Sequence, residues 1–237
     1  APDAGLCSLG GHMTPTHTNR YVVLRAGARP SVEVEIKRSR FIGYAARVDT
    51  EQAARDFLAE LRAGHREARH VCHAFVLGAD RDTQRSSDDG EPSGTAGAPI
   101  LKAITGRQTS PGVTELSDVL VAVVRYFGGI KLGAGGLVQA YSDTAAATLD
   151  AAPIVARQRM RQLTMALPMD AAGRIETVLR AQGVHLEPTS YAADHAKLTL
   201  AVPDEPTAID AMVERLAGLS SGSASPVWGV VGWFDQA

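Results

Sequence analysis

The chain has 237 residues, of which 45% are hydrophobic and 21% are charged, and its formal net charge is -2. These values are close to the averages of globular proteins and exclude a disordered or fibrous class. They also exclude a chain that is basic throughout, although a local basic patch for nucleic acid stays open. The longest apolar stretches, residues 119–124 and 227–231, are far shorter than the roughly 20 residues of a membrane span, so no membrane partner is expected.

Residues 1–19 are interpreted as a tail outside the fold, in which Gly10 to Met13 is compatible with a cloning junction ahead of a native start. This tail lacks the charged start and apolar core of a signal peptide. Only two cysteines occur, Cys7 and Cys72, so no disulfide framework is expected. A reducing, cytoplasmic location is therefore predicted.

Strands and helices alternate along the first half of the chain. Residues 31–37 alternate apolar and charged side chains with a period of two, which is typical of a half-buried strand. Asp49 is predicted to cap the first helix, with Gln52 reaching back to it. Residues 83–97 are predicted to form a polar, Gly-rich loop. Further strands are predicted at 41–48, 71–78 and 116–127, and helices at 54–64, 100–104 and 133–149.

A domain boundary is predicted near residues 150–156, where Pro153 interrupts the pattern, and it divides the chain into domains at 20–152 and 157–237. The second domain has the order strand, helix, strand, strand, helix, strand. These elements are predicted at 161–167, 171–181, 184–191, 196–202, 206–217 and 227–234. This βαββαβ order is that of a ferredoxin-like half-sandwich, so the fold class is predicted to be α+β.

The densest set of chemistry-bearing residues runs from Arg125 to Gly136, where a strand leads into five glycines, one Arg and one Lys before a helix begins. Glycines allow backbone N–H groups to approach a ligand, and a helix N-terminus adds partial positive charge, so one interpretation is an anion cradle. The other interpretation is close packing of helix on strand, which leaves no room for side chains. The predicted binding residues of this cradle are Arg125, Tyr126, Gly128, Gly129, Lys131, Gly133, Gly135 and Gly136.

A basic segment precedes the second strand and contains Lys37, Arg38 and Arg40. Cations at this spacing are candidates for contacts with phosphate or with an acidic partner. Taken alone, they are better explained as a solvated hairpin edge, because Lys and Arg at an edge also prevent unwanted strand pairing.

An acidic loop places Asp88, Asp89 and Glu91 within four residues. Three carboxylates this close suit a hard cation or acid–base work. The favoured interpretation is an ordered turn that caps the next helix, because Asp-Asp-Gly is common turn chemistry, and no metal site is predicted.

Histidines and a cysteine cluster in the sequence at His65, His70, Cys72 and His73. Zinc needs about four ligands, and no second pair lies at finger-like spacing. A Cys/His nucleophile pair is conceivable, but a buried cysteine beside hydrogen-bonded or exposed histidines is the favoured interpretation.

At these same positions the sequence resembles the motifs of the YigZ/IMPACT family. The matching stretches run from Glu35 to Ile42, from Ala68 to Ala74, from Ser87 to Gly97 and from Val123 to Val138. The resemblance covers about residues 30–150, and the two-domain length suits the bacterial members. Gln139 stands where relatives often carry Lys or Arg, which removes one presumed phosphate contact from this chain.

The resemblance implies an N-terminal domain similar to the second domain of a small-subunit ribosomal protein. It implies a C-terminal domain similar to the last domain of elongation factor G. Eukaryotic relatives restrain a starvation-sensing kinase by competing for its ribosome-associated activator. For the bacterial members, nucleic-acid or ribosome binding is the usual inference.

The sequence therefore predicts a non-enzymatic, translation-associated regulatory protein that binds RNA or a ribosome-associated partner through the cradle, without a cofactor. One alternative is an enzyme of metal-assisted phosphoryl transfer or hydrolysis, using the cradle with the acidic loop. Another is an interaction module whose partner is protein alone. No nucleophile–base pair is legible, which favours binding over catalysis. The sequence indicates no particular oligomeric state.

Overall fold

The computed structural model describes residues 18–222 and 226–236. It contains one five-stranded and one six-stranded β-sheet, with helices packed on both, so the predicted α+β class is confirmed. The prediction of a tail with Cys7 falls almost entirely outside the described residues. Within the described ranges, no helix is both long and apolar enough to cross a membrane.

In chain order the elements are β1 (Arg20–Leu24), β2 (Ser31–Ile36), β3 (Ser39–Arg47), α1 (Glu51–Gly64), β4 (His70–Leu77), β5 (Thr83–Ser87), α2 (Gly97–Gly106), β6 (Val119–Tyr126), α3 (Gly133–Asp150), β7 (Ile154–Leu167), α4 (Met169–Ala181), β8 (His185–Leu186), β9 (Ser190–Tyr191), β10 (Ala196–Pro203), α5 (Pro206–Leu219) and β11 (Val227–Asp235). The first sheet has the antiparallel order β2-β3-β6-β4-β5. Helix α1 covers one of its faces, and α2 and α3 cover the other.

Strand β6 lies at the centre of the first sheet and is buried on both faces, as its unbroken apolar run predicts. Val121 and Val123 enter the core under α2 and α3. Leu120 and Val124 enter the core under α1. The two cores of this domain therefore share one strand, and its far end leads directly into the Gly-rich segment.

The second sheet is built on the long strand β7. Met160, Arg161, Leu163 and Thr164 pair with both β10 and β11, so those two strands lie on opposite edges of β7. Strand β8 then pairs with β10, which gives the order β11-β7-β10-β8 and the predicted βαββαβ connectivity. One strand prediction was wrong in extent, because 184–191 forms only the short pieces β8 and β9.

Strand β1 joins the two halves of the molecule. Its residues were assigned by sequence to the first domain, yet they pair with residues 154–158 of β7 in the second sheet. Val22 also exchanges backbone hydrogen bonds with Glu115 and Ser117, and Leu24 packs in the core of the first domain. Residues 154–156 of the predicted interdomain linker thus belong to strand β7. The division of the chain into domains at 20–152 and 157–237 stays a prediction.

Charged side chains connect the two halves at this junction. Arg47 at the end of β3 donates two hydrogen bonds to Asp235, at 2.6 and 3.0 Å. Arg157 lies 3.3 Å from Asp118, which also accepts a hydrogen bond of 2.5 Å from Tyr21. Burial, followed by the hydrogen bond and charge of Asp118, raises the pKa of Tyr21 to about 12. This junction lies at the end of β3 opposite to Ser39, roughly 26 Å away at ~3.3 Å per residue.

Two local predictions were wrong. Helix α1 is capped by Thr50 rather than Asp49, because the extended Thr50 accepts a hydrogen bond of 3.1 Å from the Ala53 N–H. Gln52 contacts the side chains of Asp56 and Arg55 and does not reach back to the cap. The predicted loop 83–97 begins with the edge strand β5, which pairs with β4 despite its polar sequence.

Candidate functional site

The segments that resemble family motifs meet at one end of the first sheet, around the buried Glu91. Its Oε1 accepts hydrogen bonds from Arg125 Nη1 at 2.6 Å and from the Tyr141 hydroxyl at 2.8 Å. The Arg125 side chain is 7% exposed and that of Glu91 is 4% exposed. The centre of the site is therefore a buried ion pair joined to a buried tyrosine.

Ser39 and Cys72 complete this buried polar cluster, which we define as Ser39, Cys72, Glu91, Arg125 and Tyr141. Ser39 Oγ accepts from Arg125 Nη2 at 3.4 Å and from the backbone N–H of Gly128 at 3.2 Å. Cys72 Sγ donates to a backbone carbonyl at 3.0 Å and lies 3.3 Å from the Tyr141 hydroxyl. Burial raises the pKa of the Cys72 thiol to about 12, so it stays protonated at neutral pH. Burial is also the main cause that raises the pKa of Tyr141.

Arg125 was predicted to contact a bound anion, and the structure places it inside the domain. Its guanidinium lies over the Phe41 ring at 5.3 Å and over the Phe127 ring at 5.5 Å, while Glu91 balances its charge. The side chain therefore joins the strand end to the following loop, and little of its charge reaches the surface.

Three of the cradle glycines are required by the backbone itself. A Cβ at Gly128 would lie 1.9 Å from the carbonyl oxygen of Arg38, so the loop and the β2–β3 turn touch at this point. Gly129 and Gly133 have φ of 86° and 75°, in the left-handed region that favours glycine. Gly135, in contrast, would meet nothing within 4 Å. Close packing and turn geometry thus explain why most of these positions are glycine, but they do not explain Gly135.

Helix α3 begins at Gly133 without a capping side chain. Leu132 at the cap position makes no side-chain hydrogen bond, and the first turn holds no acidic residue. The first N–H groups of a helix have no intrahelical acceptor and carry partial positive charge. The surface around this helix start is therefore electropositive.

Exposed cations and apolar side chains surround the helix start. We define the tip surface as Lys37, Arg38, Phe127, Ile130 and Lys131, all of which are exposed. Lys37 and Arg38 form a two-residue turn with φ of 47° and 63°, the type I′ geometry that matches strand twist. Across the described ranges, Lys37, Arg38 and Lys131 have no ion-pair partner.

Arg40 and Tyr126 were also predicted as binding residues. They lie on the α1 face of the sheet, opposite to the buried polar cluster. Arg40 donates to both carboxylate oxygens of Glu33, at 2.6 and 3.0 Å, and its guanidinium is 5.4 Å from the Tyr126 ring. The Tyr126 hydroxyl lies 2.8 Å from Nδ1 of His65, whose Nε2 lies 2.8 Å from the Tyr44 hydroxyl. The predicted site residues are thus divided between two faces.

The carboxylates of the acidic loop point to different partners. Asp88 accepts backbone N–H bonds from Gly94, Ala96 and Gly97 at 2.8 to 3.0 Å, at the start of α2. Asp89 accepts from the Val71 N–H and from Arg62, and Glu91 lies in the buried cluster. In the part of the chain that the structure describes, no group of three or more His, Cys, Asp or Glu side chains is placed to hold a metal.

The four residues of the histidine and cysteine cluster do not assemble. His70 Nδ1 donates to the Asp89 carbonyl at 2.9 Å, and its Nε2 is 4.0 Å from Glu91. His73 lies 3.3 Å from the Val71 carbonyl, and burial lowers its pKa. His65 belongs to the tyrosine pair on the α1 face. Each side chain therefore has a separate structural partner.

The role of Asp88 predicts an acid dependence of stability. Burial alone would raise the pKa of Asp88, but the N–H donors of Gly94, Gly97 and Ala96 outweigh it and hold the pKa below its usual value. A carboxyl with a lowered folded-state pKa stabilises the fold above its unfolded pKa, and this stabilisation is lost as the pH falls through the folded pKa. We expect Asp88→Asn to lower the free energy of unfolding at neutral pH by about 1–2 kcal/mol.

Urea unfolding of both proteins between neutral pH and pH ~3 checks this expectation. The wild type should lose more stability than Asp88→Asn over that range, so that the two curves converge in acid. Asp82→Asn, a change of an exposed carboxylate on the preceding turn, serves as control and should follow the wild type. Parallel curves for wild type and Asp88→Asn would show that Asp88 does not act as a charged cap.

Comparison with known proteins identifies the family. The Impact N-terminal domain matches residues 37–149, from the β2–β3 turn to the end of α3. The protein named IMPACT family member YvyE, from Bacillus subtilis (strain 168), is 35% identical over 205 residues, which are 86% of this chain and 90% of that protein. The chain belongs to the IMPACT family. The family resemblance found in the sequence is thereby confirmed.

Other IMPACT family members are similar over shorter stretches. YigZ of Escherichia coli (strain K12) is 51% identical over 113 residues, 47% of this chain and 52% of that protein. A Thermus thermophilus protein named IMPACT family member in pol 5'region is 39% identical over 170 residues, 71% of this chain and 86% of that protein. A crystal structure of a hypothetical protein superposes with a TM-score of 0.58 at 33% identity, covering 88% of this chain and 97% of its own.

Sequence reasoning missed Tyr141 and Phe127. Tyr141 lies within the predicted helix 133–149, and nothing in the sequence pattern indicates that its hydroxyl binds a buried carboxylate. Phe127 was read as the end of the apolar strand, although it is 51% exposed. The signal for Phe127 is its position directly before two glycines, where a strand ends and its last side chain is no longer covered.

Proposed function

We propose that this IMPACT family member is a non-enzymatic RNA-binding protein of the translation apparatus, and that its tip surface contacts RNA phosphates. The observation that carries the proposal is the group of three exposed cations, Lys37, Arg38 and Lys131, beside the uncapped start of α3. Each lacks an acidic partner among the described side chains. Phosphate is the partner that cations and a helix N-terminus both favour.

The distribution of charge supports a local contact. The whole chain has a formal net charge of -2, so it does not attract RNA uniformly. The tip surface lies at the far end of β3 from the domain junction, where Arg47 is paired with Asp235 and Arg157 with Asp118. Lys37, Arg38 and Lys131 therefore place unpaired positive charge at the end of the first domain where α3 begins.

The state of the buried groups supports binding rather than catalysis. The Cys72 thiol is protonated and has partners on two sides, so it is a poor nucleophile. Asp88 and Asp89 accept backbone N–H bonds, and Glu91 holds Arg125. The oxygens of these carboxylates are used as hydrogen-bond acceptors within the fold. A role as general acid, general base or metal ligand would require these bonds to break.

Replacing Lys131 with Ala tests the proposal. Each phosphate contact releases condensed counterions, so the affinity for RNA falls as salt rises, with a slope of log affinity on log salt of about -0.7 per contact for single strands. We expect Lys131→Ala to bind RNA of any sequence more weakly and to reduce this slope by one contact. Fluorescence anisotropy of a labelled single-stranded RNA, titrated at several salt concentrations, measures both.

Lys197→Ala is the matched control, because Lys197 is an exposed lysine of the second sheet. It should bind RNA as the wild type does. If Lys131→Ala keeps the wild-type affinity and salt slope while its circular dichroism is unchanged, the tip surface does not bind RNA. The module that binds protein alone would then be the better account of this chain.

A further inference from the structure

Resting on the proposed function, we propose that the tip surface selects single-stranded RNA and that the Phe127 ring stacks on an unpaired base. Phe127 is the first residue after β6, whose side chains are buried except at its last position. Its side chain leaves the core and is 51% exposed. The neighbouring Ile130 is 41% exposed, so an apolar surface lies among the cations.

The Phe127 ring is supported from within the domain. The Arg125 guanidinium lies 5.5 Å from its centroid, and the same guanidinium lies 5.3 Å from the Phe41 ring. Arg125 is in turn held by Glu91 at 2.6 Å. An aromatic ring resting on a buried, hydrogen-bonded cation is already ordered before a ligand arrives, which lowers the entropic cost of binding.

The loop behind the ring is also fixed. The Gly128 N–H donates to Ser39 Oγ, and the backbone of Gly128 touches that of Arg38 in the β2–β3 turn. This contact holds the backbone next to Phe127 against the turn that carries Lys37 and Arg38. A base on Phe127 would therefore have cations of the same surface close to its flanking phosphates.

Single-stranded RNA is the class that this combination fits. Cations alone bind single and double strands, because both present phosphates. In a duplex the base faces are stacked on one another, and an exposed aromatic ring finds no face to contact. In single strands an aromatic side chain can stack on any base, whatever the sequence.

The test compares wild type, Phe127→Leu and Phe127→Tyr for binding to a labelled single-stranded RNA and to the same strand annealed to its complement. Leu keeps most of the apolar area but has no π-face, and Tyr keeps the ring. We expect the wild type to prefer the single strand. Phe127→Leu should lose about tenfold in affinity for it, within the range of single stacking contacts, and keep the salt slope, whereas Phe127→Tyr should keep both. Phe234→Leu, a change of an exposed aromatic residue of the second sheet, should have no effect.

The outcomes separate this inference from the function on which it rests. Wild-type binding that is equal for single strand and duplex, or an unchanged affinity in Phe127→Leu, overturns the stacking role even if Lys131→Ala still reduces the salt slope. Absence of RNA binding by the wild type overturns the proposed function and the stacking role together. Wild-type circular dichroism of Phe127→Leu shows that its loss of affinity does not come from misfolding, and wild-type affinity of Phe127→Tyr shows that an aromatic ring at this position is sufficient.

Discussion

Replacing Glu91 with Leu is expected to lower the free energy of unfolding by about 3–5 kcal/mol, because it leaves the buried charge of Arg125 without a partner. Glu91 Oε1 is the acceptor shared by Arg125 and Tyr141, at 2.6 and 2.8 Å. The double variant Glu91→Leu/Arg125→Met removes both charges and fills the space with apolar atoms. It should recover most of the lost stability. Urea unfolding followed by circular dichroism gives the free energies of four proteins, namely the wild type, Glu91→Leu, Arg125→Met and the double variant.

An exposed ion pair provides the control for this cycle. Arg29 and Glu60 lie 3.3 Å apart with side chains 56% and 66% exposed, so Glu60→Leu should change the unfolding midpoint little. If the effects of Glu91→Leu and Arg125→Met simply add in the double variant, the two side chains are not coupled. The buried ion pair would then not be what holds the motifs together.

Replacing Gly128 with Ala is expected to destabilise the protein by about 1–3 kcal/mol, the usual cost of forcing extra atoms into a packed site. The added Cβ would lie 1.9 Å from the carbonyl oxygen of Arg38 and 2.0 Å from its carbonyl carbon. Because these are backbone atoms, no rotamer change relieves the clash, and the loop must move away from the β2–β3 turn. RNA affinity should fall with stability, since the cations and Phe127 lose their common position.

Gly135→Ala is the matched variant in the same segment. Gly135 lies in the first turn of α3, and a Cβ there meets nothing within 4 Å. Alanine costs less conformational entropy in a helix, so Gly135→Ala should raise the free energy of unfolding by about 0.5–1 kcal/mol. Thermal unfolding of both variants shows whether Gly128→Ala lowers the stability of the protein while Gly135→Ala raises it. Equal destabilisation would mean that the segment requires glycine for a reason other than contact with Arg38.

Strong periodicity accounts for the successful predictions. The apolar run that contains β6 was assigned to a strand buried on both faces, and the structure places its side chains in two cores. The βαββαβ order of the second half follows from apolar patterns that repeat every two or every 3.6 residues. These patterns are local, because each element must bury one face whatever its neighbours are.

Two of the errors, at β5 and β1, occur where a distant partner decides the local structure. Polar β5 is a strand because β4 offers it a free edge, which no property of its own sequence indicates. Strand β1 was missed because its five residues carry no alternation, and its pairing partner β7 begins more than a hundred residues later. Helix α1 is capped one residue later than predicted, because the backbone at Thr50 rather than at Asp49 brings an oxygen to the Ala53 N–H.

By itself, the sequence determined the α+β class, the family and the two segments that supply the exposed cations, because each of these depends on residue types at short spacing. Only the tertiary structure decided which side chains meet. It buried Arg125 against Glu91, turned Arg40 and Tyr126 to the other face, and left Phe127 exposed above the ion pair. The physical reason is that charges and hydrogen bonds act over a few ångströms, whereas Glu91 and Arg125 lie 34 positions apart in the chain and Ser39 and Gly128 lie 89 apart.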